Sequence, residues 1–142
     1  MKRTLPIAGK QRASFSHWLP PLAWMGLIFF FSAQPDLPSA PGPWLDILLK
    51  KTGHALAYGV LAWLYLRPLR GRFHHPTAAR AIALCLTVAY ALSDEYHQTL
   101  VPGRNGTLWD VVVDGIGAAG AMLLAGRLQR RLATARQSSG AQ

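Results

Sequence analysis

Cysteine is almost missing from this sequence. Cys85 is the only one, and it stands in an apolar run, AIALCLTVAYAL. A lone thiol excludes an intrachain disulfide framework and a thiolate zinc site. Charge is scarce too: Asp, Glu, Lys and Arg make up 15% of the 142 residues, against roughly 25% in soluble domains. Acids are the scarcest, 6 against 15 Lys and Arg, for a net charge of +9. Glycine (13) and proline (10) fall short of a collagen-like or low-complexity composition, and 51% hydrophobic residues exclude a disordered chain. The paired histidines of HExxH, a Gly-x-Ser-x-Gly elbow and a phosphate-binding Gly-rich loop ending in Lys-Ser/Thr are all absent. Ser93 precedes Asp94, but nothing in the sequence activates it as a nucleophile.

Four apolar runs remain, at 18–33, 53–66, 81–93 and 111–126. Each exceeds the usual strand length, lacks period-2 alternation and is rich in Ala and Leu, so each predicts a helix. As bare runs they are short for a bilayer core of about 30 Å, which needs roughly 20 helical residues. Flanking residues restore the length: Pro43 can start the second helix, 94–98 can finish the third, and Asp110 can begin the fourth. A soluble bundle would show charged faces opposite apolar stripes. In 19–33 and 111–126 the only charged residue is Asp114. The expected fold is therefore all-α, an integral membrane bundle of four transmembrane helices occupying 18–126. A basic segment, 1–17, precedes it, and a basic, disordered tail, 127–142, follows. The first run is read as a retained helix rather than a cleaved leader, since further apolar segments follow and no small-residue cleavage site stands out.

Charge placement sets the orientation. Lys2, Arg3, Lys10 and Arg12 precede the first run, Arg67, Arg70, Arg72 and Arg80 join the second to the third, and Arg127, Arg130, Arg131 and Arg136 follow the fourth. The other two connections hold only Lys50, Lys51 and Arg104. The positive-inside rule then puts both termini in the cytoplasm and the loops after the first and third spans outside. Cations spread over three cytoplasmic segments suit anionic lipid headgroups, and nucleic acid is not expected as a partner.

Under this topology all six acids, Asp36, Asp46, Asp94, Glu95, Asp110 and Asp114, fall on the outer side. Lys51, His54, Tyr58 and Leu61 share one face of the second helix, Asp94 and Gln98 one face of the third, and Asp110, Asp114 and Gly117 one face of the fourth. Ionisable residues in apolar helices turn toward one another or toward a wet cavity. Several have plainer readings. Thr107 and Asp110 have capping-box spacing. Arg104 could tie the outer loop to Asp94 or Asp110, Tyr58 could simply pack, and Gly115, Gly117 and Gly120 give small packing faces that also permit a homo-oligomer. His54 with Asp94, Glu95 or Asp114 is an allowed donor set for a divalent ion, but no ligand spacing singles it out, so no metal and no cofactor is assigned.

In their order these residues resemble the VanZ-like family of small bacterial membrane proteins. The resemblance runs through Phe31-Ser32-Ala33-Gln34-Pro35, Lys51-x-x-His54-x-x-x-Tyr58-x-x-Leu61, Ser93-Asp94-Glu95-x-x-Gln98, Pro102-Gly103-Arg104 and Asp110-x-x-x-Asp114-x-x-Gly117. It implies a multi-pass protein of the bacterial cytoplasmic membrane and cell envelope, with an association with low-level resistance to the glycopeptide teicoplanin. It also implies Asn at position 114, so that Asp114 is an added ionisable group. Two functions stay open. In the first, an outward site binds the headgroup of an anionic lipid, a peptidoglycan precursor or a glycopeptide. Lys51 and Arg104 would hold phosphate or carboxylate, Tyr58 and Gln98 would orient it, Asp94, Glu95 and Asp114 would position the two cations, and Asp110 would complete the site. In the second, a membrane enzyme modifies or hydrolyses an envelope lipid, with His54 as acid or base and Asp94 or Glu95 as its partner. A transport route is the weakest reading, because acids gathered at one end trace no path across a bilayer.

Overall fold

A computed structural model describes residues 15–35, 41–70 and 72–139. The basic residues Lys2, Arg3, Lys10 and Arg12, and Asp36, lie outside the described residues. Among the described residues there is no strand. A short 3-10 helix, Phe15–Trp18, leads into α1 (Leu19–Ser32), followed by α2 (Pro43–Leu69), α3 (Pro76–Gln98) and α4 (Leu108–Ser139). The first three helices carry Pro in the first turn, where its missing N–H is not needed and its fixed φ suits a helix. Gly42 precedes α2 with φ of +94°, a conformation that needs glycine.

The helices outrun the apolar runs as their flanks predict: α2 starts at Pro43, α3 ends at Gln98, and α4 opens two residues before Asp110. Two of them, α3 and α4, are long and apolar enough to cross a membrane. α1 has 14 residues, about 21 Å at 1.5 Å per residue, and α2 carries Asp46, Lys50 and Lys51 in its first turns. One expectation is corrected. In 127–139, expected as part of a disordered tail, α4 continues unbroken to Ser139, and 140–142 lie outside the described residues. Its Leu, Ala, Arg and Gln are good helix formers, and no Gly or Pro interrupts 127–139. At 32 residues α4 is about 48 Å long, well beyond a bilayer core.

α2 packs most extensively on α4, then α4 on α3. The α2–α4 crossing is close because Gly59 lies against the Gly117 carbonyl and a side chain at Gly117 would collide with the Ala55 backbone. The core comprises Tyr58, Leu61, Ala62 and Leu66 of α2, Ala83 and Ala91 of α3, and Ala118 and Met122 of α4. α1 is fastened differently. Trp24 Nε1 donates to the Ala57 carbonyl (2.9 Å), Tyr90 to the Met25 carbonyl (2.7 Å) and Tyr65 to Met25 Sδ (3.0 Å). Outward, every helix exposes large apolar side chains, among them Phe30, Leu48, Leu92 and Leu123.

Candidate functional site

The close α2–α4 crossing decides what meets at one end of the bundle. His54 immediately precedes Ala55, and Asp114 lies one turn before Gly117. The approach of Ala55 to Gly117 therefore brings His54 Nδ1 to 3.8 Å from Asp114 Oδ2. That is ion-pair range for a charged imidazole and too long for a hydrogen bond. Asp114 is fully buried, and neither carboxylate oxygen has a hydrogen-bond partner.

A turn away, α3 contributes Asp94, Glu95 and Gln98, all buried. Asp94 Oδ2 accepts from Ser32 Oγ (2.7 Å), Tyr58 Oη (2.9 Å) and Gln98 Nε2 (3.2 Å), so one oxygen ties α1, α2 and α3 together. Glu95 Oε2 accepts from the Thr107 backbone N–H (2.9 Å), holding the loop before α4 against α3. The same contact requires a glycine at 106, where a Cβ would strike the Glu95 carbonyl. Pro102-Gly103 forms a tight turn in which the Arg104 N–H donates to the Val101 carbonyl (3.1 Å) and Gly103 takes φ of +78°. This pattern suits a type II turn. It directs the Arg104 guanidinium to Gln98 Oε1 (2.9 Å).

At the start of α4, Thr107 and Asp110 form the expected cap. Asp110 N–H donates to Thr107 Oγ1 (3.2 Å), whose hydroxyl donates to Asp110 Oδ2 (2.7 Å). Asp110 also pairs with Lys51, so capping and ion pairing coexist on one carboxylate. Lys50 pairs with Asp46 (2.7 Å).

All nine residues named as candidates therefore gather at one end of the bundle, but their partners differ from those the sequence suggested. His54 faces Asp114 rather than Asp94, Arg104 meets the neutral Gln98 rather than an acid, and Lys51 is engaged by Asp110. Sequence reasoning assigned no site role to Ser32 or Thr107. Ser32 is buried in the last turn of α1 and bound to Asp94; its sequence signals are a hydroxyl at the end of an apolar run and a place in the Phe31–Pro35 stretch of the family resemblance. Ser93 turns its hydroxyl to the Tyr90 carbonyl (2.7 Å), away from the cluster.

A cavity of about 610 Å³ opens here. Trp24, Leu27, Ile28 and Phe31 form an apolar wall, and Lys51, His54, Tyr58, Glu95, Gln98, Arg104, Asp110 and Asp114 contribute polar groups. A profile of the VanZ/LLP1 family matches residues 17–129, which include all four helices up to the middle of α4's basic stretch and every residue of this cavity. The chain belongs to the VanZ/LLP1 family. No curated protein and no solved structure matches it. Family membership, together with two helices apolar and long enough to cross a bilayer, points to a membrane protein of the cell envelope.

Proposed function

We propose that this VanZ-like protein is a multi-pass protein of the bacterial cytoplasmic membrane, with four spans and both termini in the cytoplasm. Its cavity then opens outward and binds the headgroup of an anionic envelope lipid, peptidoglycan precursor or glycopeptide. The observation that carries the reading is the composition of the cavity, where an apolar wall from α1 meets cations, hydroxyls and amides, with the carboxylates of Glu95, Asp110 and Asp114 beside them, within one enclosure. That combination suits an amphiphile, whose chain lies along Trp24, Leu27 and Phe31 while its head reaches Arg104. Arg104, on a tight turn and bonded to a neutral amide, keeps guanidinium donors for a phosphate or carboxylate. The large apolar side chains exposed on every helix support four lipid-facing spans. The 3-10 helix before α1 adds about 8 Å to its 21 Å, near the bilayer thickness.

Mass spectrometry of lipids that copurify with the wild type and with Arg104→Ala tests the site. A specific anionic envelope lipid present with the wild type and lost with the variant is the expected result. The same lipid mixture with both would remove the headgroup site. For orientation, cysteines placed beside Arg104 and beside Arg72 should differ in reaction with an impermeant thiol reagent in intact cells, with only the former labelled. A teicoplanin resistance role is tested separately, by the growth of cells with and without the gene in graded antibiotic.

The second reading, a lipid-modifying enzyme, is favoured by His54 standing beside Asp114 with Glu95 close by. In that reading His54→Ala abolishes turnover of the bound lipid and retains binding. A lipid bound by the wild type but never converted would oppose it.

A further inference from the structure

The floor of the cavity is acidic. Glu95 and Asp114 line it, and Asp114 is fully buried with both carboxylate oxygens lacking a hydrogen-bond partner. As a bare anion a buried carboxylate in this condition is strongly unfavourable, and it is relieved by a proton or by a cation bound to it. Asp94, one helix away, is half satisfied by comparison: three donors converge on its Oδ2, while its Oδ1 is buried without a partner.

Three helices each aim one donor at the same point. His54 from α2, Glu95 from α3 and Asp114 from α4 offer ligand atoms that all lie within 4.8 Å of one another. The spacing of His54 Nδ1 and Asp114 Oδ2, 3.8 Å, is too long for a hydrogen bond. It lies between the roughly 3.0 Å and 4.2 Å that separate adjacent and opposite ligands held about 2.1 Å from one metal ion. Glu95 is oriented by the Thr107 N–H on Oε2 and retains lone pairs on both oxygens. Such outer hydrogen bonds fix metal ligands in place.

We propose that His54, Glu95 and Asp114 form a binding site for one divalent transition cation, of the Zn²⁺ or Mn²⁺ class. One imidazole nitrogen with two carboxylates suits these ions better than Ca²⁺, which takes six to eight oxygens, or Cu(I), which favours sulfur. Three protein ligands leave coordination positions open to the cavity, where water or a phosphate oxygen fits. The cation cancels the charge of the two carboxylates, so the floor no longer repels phosphate and the open positions on the ion can take a phosphate oxygen. The inference deepens the headgroup reading but has its own geometry, and the two can fail separately. Each ligand comes from a different helix, so no spacing along the chain could reveal the site.

The test uses the full-length protein purified in detergent without added lipid, stripped with EDTA, dialysed, and titrated with ZnCl₂ and MnCl₂ by calorimetry. Elemental analysis after gel filtration gives the stoichiometry. The expected result is about one equivalent per chain, with affinity reduced by at least about tenfold in Asp114→Asn and in His54→Ala, since loss of supporting bonds alone costs metal sites that much. Binding well below one equivalent, or affinity unchanged in both variants, overturns the proposal. A measurement on the wild type covers the case of a variant that fails to fold: pulsed electron paramagnetic resonance of the Mn²⁺-loaded protein should show modulation from a directly bound imidazole nitrogen. A spectrum with only water and oxygen ligands also overturns it. Lipid copurifying in EDTA with no metal bound would leave the headgroup reading standing and remove this one.

Discussion

Two buried carboxylates at the same end of the bundle are treated in opposite ways. Asp94 is a fastener: its Oδ2 accepts from α1 through Ser32, from α2 through Tyr58 and from its own helix through Gln98. Asp114, on α4, is at least as buried yet accepts no hydrogen bond, and its nearest charged neighbour is the imidazole of His54. Residue type and depth are the same, so the difference lies in the neighbours. Around Asp94 the structure supplies two hydroxyls and an amide, which fill one oxygen, Oδ2, and leave Oδ1 without a partner. Around Asp114 it supplies glycine, a histidine and a second acid, which leave that capacity open. A carboxylate that takes three bonds from within stabilises a fold, whereas one that takes none and lines a cavity is available for a ligand.

Removing the fastener should have the largest effect. Asp94→Ala strands the Ser32 and Tyr58 hydroxyl donors inside the bundle, while the Gln98 amide keeps Ser32 Oγ (3.3 Å) and Glu95 Oε1 (3.4 Å) as acceptors. It should lower stability by about 2 to 4 kcal/mol, using modest values for hydrogen bonds between membrane helices. The unfolding midpoint in detergent, followed by circular dichroism, measures this. Asp94→Asn, which keeps an acceptor, should cost clearly less. Equal loss in the two variants would mean that charge, not hydrogen bonding, holds this point together.

Next in size is Gly117→Val, which acts on the geometry beneath Asp114 rather than on its chemistry. A branched side chain there meets the Ala55 backbone and must push α2 away from α4. Overpacking of this kind costs about 1 to 3 kcal/mol, and the shift should also separate His54 from Asp114. Gly120→Ala is the matched control, since a Cβ at Gly120 meets nothing within 4 Å. An unfolding midpoint equally affected by both would break the argument that this crossing positions the site.

Asp114→Asn should behave opposite to the changes at Asp94. In EDTA the variant loses a buried carboxylate that accepts no hydrogen bond and has the His54 imidazole 3.8 Å away, so its stability should be unchanged or higher, within about 1 kcal/mol. Unfolding in EDTA against unfolding with ZnCl₂ reads the contrast: the metal should raise the wild-type midpoint and leave that of the variant nearly in place. A loss as large as that of Asp94→Ala would erase the distinction between the two acids.

Much of this arrangement was legible along the chain, for identifiable reasons. Helical periodicity put Lys51, His54 and Tyr58 on one face, and scarcity made each acid conspicuous, so the residues of the site could be collected. Their partners could not, because pairing depends on the depth at which helices cross. His54 goes to Asp114 instead of Asp94 owing to the contact between Ala55 and Gly117, which periodicity does not encode. Ser32 was invisible as a site residue because a serine closing an apolar run looks like an ordinary helix end. The continuation of α4 through Ser139 was hidden by its charge: the segment after Gly126 departs from a membrane-like composition but not from a helix-forming one.

The smallest expected effect concerns the outer rim, where Asp110 is shared between Thr107 and Lys51. With roughly a third of the Lys51 side chain exposed, the pair sits in a partly aqueous setting, where ion pairs contribute about 0.2 to 1 kcal/mol. Lys51→Met should therefore cost little, because Asp110 keeps its cap with Thr107 and the α4 helix dipole still favours an acid in the first turn. Asp110→Asn should cost more than Lys51→Met, since it weakens cap and ion pair together. A double-mutant cycle over Lys51 and Asp110, read from unfolding midpoints at low and high salt, isolates the pair. Coupling that shrinks with salt identifies a surface ion pair; coupling that is large and indifferent to salt would show that Lys51 is as integral to the fold as the Asp94 network beneath it.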